Sequence, residues 1–137
     1  MTVEIPADKI DLALYGIVAV AGGHAHQYLT VIIEPMLGLF VGAFERGITL
    51  AGLSQGVLGL GETGLFASRT IARCPPAIGI VYCHNTIPAF EKSGVTFSED
   101  ECLVVSEGEG GESTLITATY RCIYSFARAL LADLGVP

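Results

Sequence analysis

The sequence has few charged residues and very few basic ones. Of its 137 residues, 15% are charged, with only 7 Lys or Arg against 14 Asp or Glu. The resulting net charge of −7 repels phosphate backbones and anionic lipid, so we expect no nucleic-acid partner. Apolar residues make up 51% of the chain. Because a soluble domain usually carries more charge, we expect part of the surface to be the interface of a homo-oligomer.

The sequence also lacks closely spaced cysteines, and no segment before the cysteines resembles a signal peptide. The cysteines show no CxxC spacing. They are Cys74, Cys83, Cys102 and Cys122. We therefore predict reduced, mostly buried thiols in a cytoplasmic protein. The segment from Leu12 to Ile33 has no Lys or Arg and could span a bilayer by length. Because His24 and His26 lie in its middle, where polar groups are costly in lipid, we do not expect membrane insertion.

No internal repeat or linker divides the chain, so we treat residues 1–137 as one domain. Apolar runs rich in small and β-branched residues predict buried strands, and apolar residues at three- and four-residue spacing predict helices. The predicted strands are 14–21, 48–53, 77–83 and 102–106, and the predicted helices are 34–47, 62–73, 88–92 and 113–134. The helix at 34–47 is apolar all round, which makes it the expected interface.

Strands that alternate with helices favour an α/β fold: a single three-layer-like domain with a mostly parallel sheet of about four strands. The alternative is an α+β fold with helices on one face of a mixed sheet. The distinction matters for function, because open parallel sheets bind ligands beyond the carboxyl ends of their strands. Polar residues that follow the predicted strands are therefore the first candidates for a site.

Histidines and amides follow three of the predicted strands. His24 and His26 follow the first strand, Gln55 the second, and His84 and Asn85 the third. Histidine exchanges protons near neutral pH, so we interpret the three histidines as acid and base groups. The two amides would hydrogen-bond to a ligand and orient it. All five residues are expected at one rim of the sheet.

A metal site and a further base are alternative interpretations of nearby residues. His24 and His26 form an HxH pair, which on an extended segment points both imidazoles to one side, as metal ligands require. A third ligand could be His84 or Glu34. Glu45, at the end of the apolar helix, is an additional candidate for general base, provided that burial raises its pKa.

Three glycines match a dinucleotide-binding pattern. Gly59, Gly61 and Gly64 form GxGxxG after an apolar pair and before a predicted helix. The stretch Gly56–Asn85 resembles the opening βαβ unit of NAD(P)-dependent dehydrogenases of the 6-phosphogluconate dehydrogenase type. The resemblance implies that the glycines approach the phosphates of NAD(P). Where that family has an acid at the end of the second strand, this chain has Cys83, His84 and Asn85. A wider alternative is another phosphate-bearing ligand at the helix terminus.

Three functional hypotheses follow. The first is a small oligomeric cytoplasmic enzyme that carries out acid–base chemistry of the lyase, isomerase or hydrolase type on a small polar metabolite. The second is a regulatory module that binds a nucleotide or a small anion through Gly59, Gly61 and Gly64. The third is a structural or assembly subunit, which the apolar composition supports and the polar rim does not.

Overall fold

A computed structural model describes residues 5–22, 33–54, 56–61, 63–65, 67–72, 94–98 and 102–137. The strand predicted at 77–83 and the helix predicted at 88–92 lie outside these ranges. The core of the described part is one sheet with helices packed against it.

Strands and helices alternate along most of the described chain. The strands are β1 (Ile17–Val20), β2 (Thr49–Leu53), β3 (Thr70–Ala72), β4 (Thr96–Ser98), β5 (Leu103–Ser106) and β6 (Leu115–Ala118). The α-helices are α1 (Ile33–Glu45), α2 (Gly56–Gly61) and α3 (Ile123–Asp133). Short 3₁₀ helices occupy Ala7–Lys9, Leu12–Leu14 and Tyr120–Cys122. Within the described ranges, no helix combines the length and apolar character needed to cross a bilayer.

The main sheet has the strand order β1-β2-β6-β5. β1 pairs with β2 and β2 with β6 in parallel, whereas β5 pairs with β6 in the antiparallel direction. The register places Ala51 of β2 between Ala19 and Ile116. β3 and β4 form a second, two-stranded parallel sheet. The predicted α/β class with a mostly parallel sheet of four strands is confirmed.

The two central strands are buried on both faces. Leu50 and Ile116 are each 1% exposed, and Ala51 and Thr117 are fully buried. Because side chains alternate along a strand, Leu50 and Leu115 point to one face of the sheet, and Ala51 and Ile116 to the other. Strands with apolar and β-branched residues on both faces are typical of a sheet covered by helices on both sides.

Helices cover both faces and give three layers. On one face, Phe40 of α1 and Leu60 of α2 belong to the same buried cluster as Leu50. On the other face, Phe126 of α3 packs with Ile116. This arrangement confirms the three-layer prediction and rules against the α+β alternative with helices on one face.

Three predicted elements match the structure well. The strands predicted at 48–53 and 102–106 are β2 and β5, and the helix predicted at 34–47 is α1. Gly47 has φ +69°, the left-handed conformation that commonly ends a helix and that glycine adopts without strain. The strand predicted at 14–21 begins later, at Ile17, because the residues before it form a 3₁₀ helix.

The helix predicted at 62–73 is wrong. Residues 63–65 and 67–68 lie in turns and bends, and β3 follows. The hydroxyl of Thr63 accepts a hydrogen bond from the backbone N–H of Leu65 (3.2 Å), and Ser68 has φ +66°. Side-chain hydrogen bonds to nearby backbone groups compete with helix formation. This explains why the segment is not a helix despite its apolar spacing.

The long helix predicted at 113–134 is wrong in its first part. Leu115–Ala118 is the central strand β6, and α3 begins only at Ile123. A short apolar run is compatible with a buried strand as well as with a helix. Pairing with β2 on one side and β5 on the other decides between them, and sequence spacing does not show this pairing.

The apolar residues of α1 are largely covered by the rest of the chain. Leu39, Phe40 and Ala43 are buried against the sheet. The large apolar side chains that remain exposed are found mainly elsewhere, and they include Tyr124 (86% exposed) and Leu131 (45%) of α3. Most of these apolar side chains are covered within the chain, and an interface on α1 stays a prediction.

Two side chains attach the β3–β4 sheet to the main sheet. The hydroxyl of Thr117 accepts a hydrogen bond from the buried N–H of Ala72 (2.8 Å). Arg69, with 11% of its side chain exposed, donates to the carbonyl oxygens of Ser106 (3.0 Å) and Ser113 (3.2 Å). It also donates to the carboxylate of Glu112 (2.9 Å). Arg69 therefore holds the connection between β5 and β6.

Two of the cysteines form a disulfide, which corrects the expectation that all of them are reduced. Cys102 precedes β5 and Cys122 follows β6, and their Cα atoms lie 5.8 Å apart. The N–H of Thr119 donates to the carbonyl oxygen of Cys102 (2.8 Å), which extends the β5–β6 ladder beside the disulfide. The antiparallel pairing of the two strands thus brings the two cysteines into range. Cys74 and Cys83 lie outside the described residues.

We predict that Arg69→Ala lowers the free energy of unfolding by about 2–3 kcal/mol, because bonds made by a charged donor are lost and two carbonyl oxygens lose a partner. Urea denaturation measures this change. Arg128→Ala is the matched control, since Arg128 is exposed on α3, and it should change stability by less than about 0.5 kcal/mol. Equal midpoints for the two variants would show that the Arg69 contacts contribute nothing.

Candidate functional site

Three strand ends meet at one edge of the main sheet. Because β1, β2 and β6 are parallel, their carboxyl ends lie at the same edge. The residues just after these ends are Gly22, Ser54 and Thr119. This is the edge at which open α/β sheets bind ligands.

Ser54 makes a sharp turn between β2 and α2. It has φ +54°, a left-handed conformation that non-glycine residues adopt at a cost of about 1–2 kcal/mol. Its N–H donates to the carbonyl oxygen of Ala118 (2.7 Å), and its own carbonyl oxygen accepts from the N–H of Val57 (3.2 Å). The strained turn is thus held on both sides by backbone hydrogen bonds. Strain of this kind is frequent at catalytic sites.

The turn carries the sequence pattern G-x-S-x-G, from Gly52 to Gly56. A Cβ atom on Gly52 would lie 3.0 Å from Cα of Val57 and 3.1 Å from a methyl group of Leu60. A Cβ atom on Gly56 would overlap the carbonyl oxygen of Val20. Gly56 is therefore required where the helix turns back onto the strands, and Gly52 leaves room for the close approach of Val57. This strand–turn–helix context is the one in which G-x-S-x-G presents a nucleophilic serine.

The end of β1 comes into close contact with Ser54. A Cβ atom on Gly22 would lie 2.8 Å from the carbonyl oxygen of Leu53 and 2.9 Å from Cβ of Ser54. In the sequence, His24 and His26 follow Gly22 by two and four positions. Gly22, after which the sequence reaches these two histidines, therefore lies beside the serine.

Thr119 is a buried polar residue at the same edge. It is 4% exposed, and among the described residues its hydroxyl has no hydrogen-bond partner. Its backbone is extended, with φ −78° and ψ 160°, and it precedes the 3₁₀ helix Tyr120–Cys122 without capping it through its side chain. An unpaired buried hydroxyl costs stability, which makes this position unusual.

A positive charge follows Thr119. The Nε of Arg121 donates to the hydroxyl oxygen of Tyr120 (3.4 Å), and its guanidinium lies 5.9 Å from the ring centroid. The hydrogen bond that Arg121 donates to Tyr120 raises the pKa of Arg121 above its ordinary value, and an arginine side chain is protonated at neutral pH in any case. The carboxyl end of β6 is thus followed by a permanent cation.

Most of the site residues predicted from the sequence fall outside the described part of the chain. These are His24, His26, Gln55, His84 and Asn85. Their roles stay predictions. No cluster of three His, Cys, Asp or Glu suited to a metal ion occurs among the residues that the structure describes, and both members of the HxH pair lie outside that part.

Glu45 lies at the opposite end of the main sheet from Ser54. It ends α1 just before β2, so it lies near the amino end of β2, whereas Ser54 follows the carboxyl end. Its side chain is exposed. The burial expected of a general base at this position is therefore absent.

The dinucleotide-binding context of the glycines is also wrong. Gly59 and Gly61 lie within α2, and Gly64, with φ +72°, lies in a turn with open space around it. The dehydrogenase pattern needs its glycines between a strand and the start of a helix. In this chain Ser54 occupies that turn, so the expected approach to NAD(P) phosphates is not formed by these glycines.

Ser54 and Thr119 are not among the site residues predicted from the sequence. A signal for Ser54 was present, because G-x-S-x-G follows a predicted strand. Thr119 had no local signal, since it was assigned to a helix. Its position becomes evident only once Leu115–Ala118 is paired with β2.

No model of a protein family and no curated protein matches the sequence. Solved structures do match. A two-domain protein from Anabaena variabilis, with a DJ-1/ThiJ/PfpI-like and a ferritin-like domain, has a TM-score of 0.72 at 21% identity over 95% of this chain and 33% of that one. A ThiJ/PfpI domain protein from Brachyspira murdochii has a TM-score of 0.71 at 18% identity over 94% of this chain and 65% of that one.

A third similar structure is the candidate protease I of Bacteroides thetaiotaomicron, with a TM-score of 0.63 at 16% identity over 90% of this chain and 64% of that one. This chain therefore spans between one third and two thirds of the length of the three chains it matches. At such low identities the likeness shows the fold alone. The chain shares the mixed α/β fold of ThiJ/PfpI-like domains.

Proposed function

We propose that this chain is a hydrolase-type enzyme that uses Ser54 as its nucleophile on a small polar ester or amide. The observation that carries the proposal is the strained serine in G-x-S-x-G, placed between a central strand and a helix. The name of the similar Bacteroides protein, candidate protease I, agrees with hydrolytic chemistry on this fold.

In the proposed reaction, the Ser54 hydroxyl oxygen attacks the carbonyl carbon of the substrate. The serine proton passes to a base, the leaving group departs with a proton, and water then hydrolyses the acyl group from the serine. Serine needs a neighbouring base because its hydroxyl is a weak nucleophile at neutral pH. His24 and His26 are the preferred candidates, since Gly22 contacts Ser54 and precedes both. His84 is the remaining histidine.

The charge at the edge suggests a preference among substrates. The net charge of −7 repels anions from most of the surface, but Arg121 provides a local cation after β6. A fixed cation near a site raises the local concentration of anionic ligands. We therefore favour substrates that carry a carboxylate or another negative group.

We also propose that the domain self-associates through α3. Ile123 (50% exposed), Tyr124 (86%) and Leu131 (45%) present apolar surface there. Aromatic and apolar side chains of this kind are common in the buried part of interfaces. Native mass spectrometry should detect an oligomer for the natural chain and monomer for Tyr124→Glu combined with Leu131→Glu. A natural chain that is monomeric at micromolar concentration would contradict this proposal.

We predict that a fluorophosphonate probe labels Ser54, because such probes phosphonylate activated serines. Intact-mass spectrometry and peptide mapping should show one adduct on the natural chain and none on Ser54→Ala. Ser68→Ala is the matched control, since Ser68 also has a positive φ (+66°) but lies in an exposed turn. It should be labelled like the natural chain. Labelling of Ser54→Ala at the natural rate would rule out Ser54 as the nucleophile.

We also predict that Ser54→Gly and Ser68→Gly each raise the free energy of unfolding by about 0.5–1 kcal/mol, because glycine adopts a positive φ without steric strain. Urea denaturation measures the change. Only Ser54→Gly should lose labelling by the fluorophosphonate probe. If Ser54→Gly were less stable than the natural chain, the left-handed turn would not be a source of strain.

A further inference from the structure

Two threonines two residues apart in the sequence have opposite hydrogen-bond states. Thr117 in β6 is fully buried, and its hydroxyl accepts a hydrogen bond from the N–H of Ala72 (2.8 Å). Thr119 is 4% exposed, and within the described part of the chain its hydroxyl has no partner. Because a buried polar group nearly always has a hydrogen-bond partner, the hydroxyl of Thr119 indicates a role other than stabilising the fold.

The strand register places Thr119 directly beside Ser54. The N–H of Leu50 donates to the carbonyl oxygen of Thr114, and Leu50 is paired with Leu115. The N–H of Ser54 donates in the same pattern to Ala118, which makes Thr119 its partner in the register. Neighbouring strands lie about 4.8 Å apart. The unpaired hydroxyl is therefore on the residue next to the proposed nucleophile.

The face of the sheet on which Thr119 lies also agrees with a role beside Ser54. Thr119 has extended backbone and follows Thr117 by two residues, so both side chains lie on the same face. Gly52, the register partner of Thr117, faces Val57 and Leu60 of α2. Thr119 is thus on the side of the sheet where α2 begins after the serine turn.

We propose that the Thr119 hydroxyl donates a hydrogen bond to the carbonyl oxygen of the acyl group that reacts with Ser54. This inference rests on the proposed function. When the serine oxygen bonds to the carbonyl carbon, the carbonyl oxygen becomes negative until the leaving group departs. A donor that is already fixed and shielded from water stabilises that charge without reorganisation. The missing partner of Thr119 would then be the substrate itself.

The test compares steady-state hydrolysis of p-nitrophenyl acetate by the natural chain, Thr119→Val, Thr119→Ser and Ser54→Ala. In this reaction Ser54 takes the acetyl group, its proton passes to the histidine base, p-nitrophenolate leaves, and water releases acetate. Thr119→Val should lower kcat by about 100-fold, the usual effect of removing one such donor, with little change in KM. Thr119→Ser keeps the hydroxyl and should restore most of the rate.

Thermal unfolding separates this role from a structural one, with Thr117→Val as the matched control. Thr117→Val should lower Tm, because it leaves the N–H of Ala72 unpaired. Thr119→Val should leave Tm unchanged or raise it, because it removes a hydroxyl that has no partner among the residues that the structure describes. A Tm loss equal to that of Thr117→Val, an unchanged kcat, or no rescue by Thr119→Ser would each overturn the proposal.

Different results would overturn the serine mechanism and the proposed role of Thr119. If the natural chain hydrolyses p-nitrophenyl acetate no faster than Ser54→Ala, the serine mechanism is wrong and the role of Thr119 is overturned with it. If the natural chain exceeds Ser54→Ala and Thr119→Val matches the natural chain, only the role of Thr119 is overturned.

Discussion

The parallel pairing of β2 with β6 is the interaction on which the rest of the structure depends. Both strands are buried on both faces, so their backbone groups can be satisfied only by each other and by the strands beside them. The same ladder continues past the strand ends, where the N–H of Ser54 bonds to Ala118. The position of the serine turn is therefore fixed by the most buried part of the molecule, which is how a rigid scaffold can hold a strained residue.

Close packing then determines which residues surround the serine. Gly22, Gly52 and Gly56 stand where a Cβ atom would collide with backbone atoms, so three backbone segments approach the turn more closely than side chains would allow. This geometry brings the end of β1 to the serine, and His24 and His26 follow that end in the sequence. Packing at the sheet edge and the proposed chemistry thus depend on the same glycines.

The amino-acid pattern alone predicts the fold class well, since apolar runs and helical spacing are properties of short segments. It predicts β2, β5 and α1 correctly. It assigns Leu115–Ala118 to a helix, because a short apolar run does not reveal which strand will pair with it. The same limit hides Thr119, whose importance arises from register and not from neighbours in sequence. Ser54 differs, because G-x-S-x-G is a local pattern that can be read directly from the sequence.

Two residues at neighbouring positions of one sheet edge each lower the folding stability of the protein. Ser54 adopts a left-handed conformation, and Thr119 buries a hydroxyl without a partner among the described residues. Each costs stability, and either could be removed by a single substitution to glycine or valine. Neither the left-handed turn nor the unpaired hydroxyl stabilises the fold, yet the two occur on adjacent residues of paired strands. A site that must hold a nucleophile and a donor ready for a substrate requires both, because groups that are paired and relaxed before the reaction are less able to stabilise its transition state.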